Sequence, residues 1–305
     1  MRLLLDRERL TDERIAALAP EERAGLDTLR RARALGESLG LAHSTSYRHL
    51  VERGPDRAVR VVVAAPPERL EPRTWWFPIV GRIAYRGYFD PARAKDFADG
   101  LRAEGLDVYV RPAELYSTLG YFDDPFPRSG LLWSQVDIAD TGIHELVHET
   151  IFVAGDSAYD EALASFIAER ATLELFADQP ALADEARGVF ADRKTFAELI
   201  DALARELEAL YAHTPTREDA LRERETVFTR YQHEVFPSAA WQTPRYQGLG
   251  AVQLSNAFVL AQRTYMGDLP CFERELATLG GDLRAFIAAH REQPGRRPDC
   301  PTTPQ

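Results

Sequence analysis

The second half of the chain shows helical periodicity almost without interruption, and this feature most limits the folds open to it. From residue 140 to about residue 290, apolar residues recur every three or four positions among charged ones. One such series is Leu199, Leu203, Leu207 and Leu210. The earlier residues contain strand-like stretches as well, beginning with the valine-rich residues 58–64. The sequence therefore predicts an α+β protein, with a small mixed sheet followed by a predominantly helical half.

The predicted sheet includes a unit of strand, helix and strand. Residues 82–89 and 107–110 have the composition of strands, and the residues between them form an amphipathic helix that stops at Gly105. A unit of this kind, in about 30 residues, joins parallel strands, so we expect part of the sheet to be parallel. Residues 131–138 predict a further short strand.

The length of 305 residues fits one large domain or two small ones. We expect a single domain over residues 1–292, with the sheet-bearing half at about 1–139 and the helical half at about 140–292. The proline-rich residues 293–305 predict a disordered tail. The two cysteines, Cys271 and Cys300, are interpreted as unrelated thiols, with a single late bridge as the alternative.

The charge of the chain limits its partners. A formal net charge of -11 argues against nucleic acid and anionic membrane surfaces, which select for clustered basic residues. No stretch approaches the roughly 20 apolar residues of a membrane span, and the opening apolar run is too short for a secretory signal. We expect a cytoplasmic protein as the sequence stands, or an exported or lipid-anchored one if its true start lies upstream. The sequence carries no signal for an oligomeric state.

One short stretch, IHELVHET at residues 143–150, carries most of the chemical information. His144 and His148 are four residues apart and share a helix face, so both imidazoles can reach one zinc ion. Glu145 lies about 100° further round the helix, where it can hydrogen-bond a metal-bound water. The apolar residues between them predict a buried helix, in which histidines need partners. Histidines satisfied by carboxylates without a metal are the alternative.

Zinc in a hydrolytic site usually has three protein ligands and one water, so a third ligand is needed. Gly155 is predicted to end the first helix, and Ser157 with Asp160 resembles a capping box that begins the next. The turn is short, so the second helix is expected to return beside the first.

Glu161 is the favoured third ligand because it falls in the first turns of that second helix. The residues around it, Ala162, Ala164 and Ser165, are small enough for close helix packing. Asp156 and Asp160 are rival ligands. Asp160 is otherwise expected to cap the helix or to hold a ligand in place through a hydrogen bond.

HELVH followed by Asp160 and Glu161 resembles the gluzincin peptidases. More narrowly, the chain resembles the bacterial predicted-aminopeptidase family of zinc-dependent proteins. The matching stretches are TWWFPIVGRIAYRGYF, DVYV, YSTLGYFDDP, IHELVHETIFVAGDSAYDEALASFIAER and LSNA. The resemblance implies a zincin-like metallopeptidase fold, with one Zn²⁺ ion bound by His144, His148 and Glu161 and with Glu145 as the base.

Two departures from the family pattern concern the support of the ligands. Asp160 stands where the family commonly has Asn, which adds a negative charge beside the site. Ser165 stands where thermolysin-like enzymes carry an aspartate that orients a histidine, so it is expected to be a weaker partner.

The resemblance implies zinc-dependent hydrolysis of a peptide or protein substrate, with an aminopeptidase as the favoured type and Glu145 activating a zinc-bound water. Tyr265 is the favoured donor to the oxyanion, with Tyr116 and His233 as alternatives. Tyr116, Leu119 and Gly120 could lie at a sheet edge that binds substrate as an added strand, with residues 131–138 as the other candidate edge. A plain structural strand and turn is the alternative for both stretches. The alternative function is a metallopeptidase-like fold in which zinc has a structural or regulatory role without peptidase activity.

Overall fold

The computed structural model describes residues 7–52, 59–78, 81–113, 124–214, 216–263 and 269–297. The chain divides into two compact units. The first consists of Met1–Ala58, Ala113–Ala186 and Gly267–Gln305, and the second of Val59–Pro112 and Arg187–Met266. Each unit contains both helices and strands. The single domain expected over residues 1–292, with its two halves, stays a prediction.

Short strands are interspersed with helices up to Pro127, and a series of helices follows. Their order along the chain is β1 (Glu8–Arg9), α1 (Asp12–Ala17), α2 (Pro20–Ser38), β2 (His49–Val51), β3 (Val59–Ala65), β4 (Trp75–Phe77), β5 (Gly81–Ile83), β6 (Tyr85–Tyr88), α3 (Pro91–Ala103), β7 (Asp107–Ala113), β8 (Phe126–Pro127), α4 (Gln135–Thr150), α5 (Ser157–Leu175), α6 (Pro180–His213), α7 (Arg217–Arg230), α8 (Phe236–Ser238), α9 (Asn256–Arg263), α10 (Leu269–Thr278) and α11 (Leu283–Glu292). The mixture of helices with small sheets confirms the predicted α+β class.

The first unit is built on three helices, α2, α4 and α5, which pack against one another. Two glycines allow the close approach of α2. A Cβ atom on Gly25 would lie 2.0 Å from the carbonyl oxygen of Leu131, and one on Gly142 would lie 2.7 Å from Cδ1 of Leu29. A small sheet in the order β1-β2-β8 completes this unit, with β1 antiparallel and β8 parallel to β2.

The strand predicted at residues 131–138 is wrong. Arg128–Leu132 form a 3₁₀ turn, and α4 then begins at Gln135. The Ser134 hydroxyl oxygen accepts a hydrogen bond from the Asp137 backbone N–H at 3.1 Å, which caps the helix. The apolar residues that follow the cap therefore belong to a helix and not to a strand. Val136, Ile138 and Ala139 are buried on this helix.

The second unit contains a sheet in the order β6-β3-β7, with β3 antiparallel to β6. The predicted unit of strand, helix and strand corresponds to β6, α3 and β7, but β3 lies between the two strands. The single strand expected at residues 82–89 is divided into β5 and β6, and β5 pairs with β4 instead. Helices α3 and α9 pack against β3.

The C-terminal region differs from expectation in two respects. Cys271 is disulfide-bonded, so its interpretation as an unrelated thiol is wrong; the other cysteine, Cys300, lies outside the described residues. Arg296 and Arg297, expected in a disordered tail, form ion pairs with Glu275 and Asp156. Within the described ranges, no helix is long and apolar enough to cross a membrane.

Candidate metal centre

Helices α4 and α5 form a hairpin that carries the residues of the HELVH stretch and Glu161. After α4 ends at Thr150, the connection passes through Gly155, whose φ of +87° is readily adopted by glycine. The Asp156 carboxylate accepts a hydrogen bond from the Tyr159 N–H at 3.2 Å and caps α5. The capping box predicted from Ser157 and Asp160 is therefore wrong, because Ser157 is already in the helix and Asp156 is the N-cap.

Three side chains meet on the facing surfaces of this hairpin: His144, His148 and Glu161. Each offers one ligand atom, and these atoms lie within 4.8 Å of one another. Nε2 of His144 is 3.1 Å from Nε2 of His148, and Oε2 of Glu161 is 3.3 Å and 3.7 Å from the two nitrogens, respectively. The structure thus brings together the three residues that the sequence predicts as ligands.

The cluster is well shielded from solvent. The side chains of His144, His148 and Glu161 are 16%, 10% and 13% exposed. Burial opposes the charged form of His148, but the Glu161 carboxylate outweighs this effect and raises the pKa of His148 to about 9. Burial likewise works against the Glu161 carboxylate, but hydrogen bonds to the two imidazoles hold its pKa well below the usual range. The two nitrogens and one carboxylate oxygen match the ligand set of hydrolytic zinc sites, so these residues could hold a metal ion.

Glu145 follows His144 on α4 and is half-buried. Burial raises the pKa of its carboxyl group, while His148 and His144 act in the opposite direction. Among the described residues, no hydrogen bond holds this carboxylate. The Glu145 carboxylate is therefore available to accept a hydrogen bond or a proton.

Asp160 precedes the candidate ligand Glu161 and is 4% exposed. Its Oδ1 accepts a hydrogen bond from the Val153 N–H at 2.9 Å, which ties the connection between the helices to α5. Its Oδ2 has no hydrogen-bond partner in the described part of the chain, and burial raises the pKa of this carboxyl group to about 6. Ser165 is 8% exposed on the same helix. Their roles in supporting the ligands stay predictions.

A family comparison decides the relationship of the chain to known proteins. The model of the family described as "Putative aminopeptidase" matches residues 2–297. The chain belongs to this family. No curated protein and no solved structure matches the chain significantly. Membership of the family supports a peptidase activity. The arrangement of His144, His148 and Glu161 is observed in the structure of this family member and not in a relative.

The described structure does not test the other predicted site residues of this family member. Tyr265, Tyr116, Leu119 and Gly120 lie outside the described residues. His233 is exposed in the second unit, in the π-helical segment Tyr231–Val235. The donor to the oxyanion and the substrate-binding edge therefore stay predictions.

Tyr47, in the first unit, is not predicted as a site residue from the sequence, although its burial and backbone conformation are unusual. It is 4% exposed, and its hydroxyl has no hydrogen-bond partner among the described residues. It is also the only described non-glycine residue with positive φ, at 62°. Burial, followed by the carboxylates of Glu145 and Glu149, raises its pKa well above the usual range. No local motif marks this loop residue, because its main-chain N–H is held by the distant Asp124 carbonyl at 2.6 Å.

Proposed function

We propose that the chain is a zinc-dependent peptidase of the aminopeptidase type, which hydrolyses peptide bonds at the N-terminal end of its substrate. The observation that carries this proposal is the convergence of His144, His148 and Glu161 within 4.8 Å, with Glu145 next to the first histidine on the same helix. Membership of the aminopeptidase family supports the same class of reaction.

In this proposal, His144 and His148 would hold the ion from one helix, and Glu161 would hold it from the next. A bound zinc ion supplies Lewis-acid chemistry, which lowers the pKa of water and polarises a carbonyl group. The single carboxylate among the ligands leaves one positive charge on the site, which favours this polarisation. All three side chains are largely shielded from bulk solvent.

Glu145 is assigned the proton transfers. Its carboxylate takes a proton from the attacking water, and the resulting carboxylic acid passes that proton to the leaving amine. The geometry suits this task because residues 144 and 145 diverge by about 100° around the helix, so Glu145 can act beside the ion without binding it. Its lack of a hydrogen-bond partner among the described residues leaves it free to receive the proton.

The decisive experiment compares zinc content and peptide hydrolysis in the wild type and in Glu145→Gln. We expect the variant to retain one zinc ion and to lose at least about a hundredfold in kcat, because general base catalysis contributes about that much. Glu149→Gln, on the same helix but outside the cluster, is the matched control and is expected to remain active.

Peptides with a free and with an acetylated N-terminus separate the aminopeptidase from an endopeptidase. An aminopeptidase requires the free α-ammonium group, so acetylation is expected to abolish cleavage. If the zinc-loaded wild type hydrolyses no member of a broad peptide library, the peptidase proposal fails and a structural or regulatory role for the ion replaces it.

A further inference from the structure

A basic cavity of ≈ 380 Å³ lies in the first unit, and the residues that line it do not include the metal cluster. Its charged wall consists of Arg9, Arg30, Arg33 and Arg48, opposed by the single acidic residue Glu37. With four arginines and one glutamate, the cavity is positively charged, whereas the whole chain has a formal net charge of -11. The cavity is therefore a local concentration of positive charge, which attracts anions.

The arginines differ in their partners. Arg33 is fixed, since its guanidinium donates hydrogen bonds to the carbonyl oxygens of Ser44 and Ser46. Arg48 lies 3.3 Å from Nε2 of His43. The side chains of Arg9 and Arg30, by contrast, make no ion pair or hydrogen bond with any described residue. Two guanidinium groups on one cavity therefore keep their full hydrogen-bonding capacity for a ligand.

Tyr47 lines the same cavity and supplies an independent sign of an unfilled site. Its side chain is more than nine-tenths buried, and its hydroxyl lacks a hydrogen-bond partner among the described residues. Buried hydroxyl groups are nearly always hydrogen-bonded, because desolvating one without a partner is unfavourable. Arg33 also holds the loop that carries Tyr47, through its hydrogen bonds to the Ser44 and Ser46 carbonyl oxygens. The tyrosine and this arginine of the cavity are therefore fixed relative to each other.

We propose that this cavity binds a small anion with two or more anionic oxygens, of the carboxylate or phosphate class, between Arg9 and Arg30. The planar guanidinium fork binds two oxygens of one such group at once, which selects these anions over halides. The cavity volume is at the lower end of the range of small-molecule sites, so the ligand is a small molecule or a single acidic group of a larger one. The site is separate from the proposed peptidase reaction and does not depend on it.

Isothermal titration calorimetry on the full chain tests this site with three probes. They are inorganic phosphate, glutarate and the uncharged analogue glutaramide. We expect saturable binding of phosphate or glutarate and none of glutaramide, and the tighter of the two anions identifies the ligand class. The binding should weaken as salt concentration rises, because the attraction is between charges.

Two neighbouring arginines on α2 provide a matched pair of variants. Arg30→Ala removes a lining residue, whereas Arg31→Ala removes an exposed arginine that does not line the cavity. We expect Arg30→Ala to raise Kd by about tenfold or more, and Arg31→Ala to leave it within about twofold. Because Arg30 is exposed and has no described partner, its removal should not change Tm, which confirms that the variant is folded. Failure of both anions to saturate, or equal weakening by the two variants, overturns the proposal.

Discussion

The Glu161 carboxylate lies 3.3 Å from Nε2 of His144, although the two side chains belong to different helices. The contact depends on the turn between α4 and α5, in which Gly155 has positive φ and Asp156 caps the second helix. The arrangement of the candidate ligands is therefore a property of a helical hairpin. Changes at Glu161 should act on metal binding directly, rather than through the rest of the unit.

Replacement of Glu161 by alanine is expected to reduce zinc affinity by at least about a hundredfold, because it leaves only two protein ligands. Zinc content after equilibrium dialysis, measured by elemental analysis, provides the readout. Glu174→Ala, an exposed substitution on the same helix, should keep its zinc. Loss of zinc in Asp156→Ala or Asp160→Ala, with retention in Glu161→Ala, would contradict our choice of third ligand.

Stability should depend on pH through His290, whose side chain is fully buried. Its Nδ1 lies 2.9 Å from the Tyr159 hydroxyl, and its Nε2 lies 3.1 Å from the Glu275 carboxylate. Burial lowers the pKa of His290 to about 4, from an ordinary value of 6.5. The neutral form is thus favoured in the folded state, so its contribution to stability is complete above about pH 6.5 and is lost as the pH falls towards 4.

The shift corresponds to roughly 3 kcal/mol of unfolding free energy across that pH window. Urea unfolding at pH 7.5 and pH 4.5 measures the loss. His290→Gln should be less stable at pH 7.5 but should lose less stability on acidification than the wild type. His43→Gln, which changes an exposed histidine, should follow the wild-type pH dependence. An unchanged pH dependence in His290→Gln would refute the assignment.

Two glycine substitutions should have opposite effects on stability. Gly25→Ala would place a Cβ atom 2.0 Å from the Leu131 carbonyl oxygen, so helix α2 or that carbonyl must move. We expect a loss of about 1–3 kcal/mol. Gly100→Ala meets nothing within 4 Å on helix α3 and should gain roughly 0.5–1 kcal/mol through lower backbone entropy. Chemical denaturation of both variants checks the signs, and equal stability of Gly25→Ala and the wild type would contradict the close packing.

The residues that could be predicted from sequence are those whose relationships are local. His144 and His148 share a helix face because of their spacing alone, and the short turn brings Glu161 back to them. Residues 131–138 have an apolar pattern that also fits a strand, and only the cap at Ser134 decides for a helix. Asn256 is fully buried; its side-chain oxygen accepts a hydrogen bond from the Tyr211 hydroxyl, and its side-chain nitrogen donates one to the Pro66 carbonyl oxygen, both far away in sequence.

Non-local relationships could not be predicted in this way. Arg9, Arg30 and Arg48 are distant in sequence, and only the folded first unit places them around one cavity. The backbone of Tyr47 is held by Asp124, a contact that no periodicity or motif signals. The order of β6, β3 and β7 likewise depends on pairing between strands that are distant in sequence, which composition does not specify.

The contact between Tyr159 and His290 has a consequence for how the protein is made. Tyr159 lies two positions before Glu161, whereas His290 belongs to the last stretch of the first unit, Gly267–Gln305. A ribosome that has synthesised both histidines and Glu161 must still add more than a hundred residues before this partner emerges. The helix that carries the candidate third ligand thus completes its packing only after these further residues have been added, and a nascent chain would hold the three candidate ligands before it holds their support.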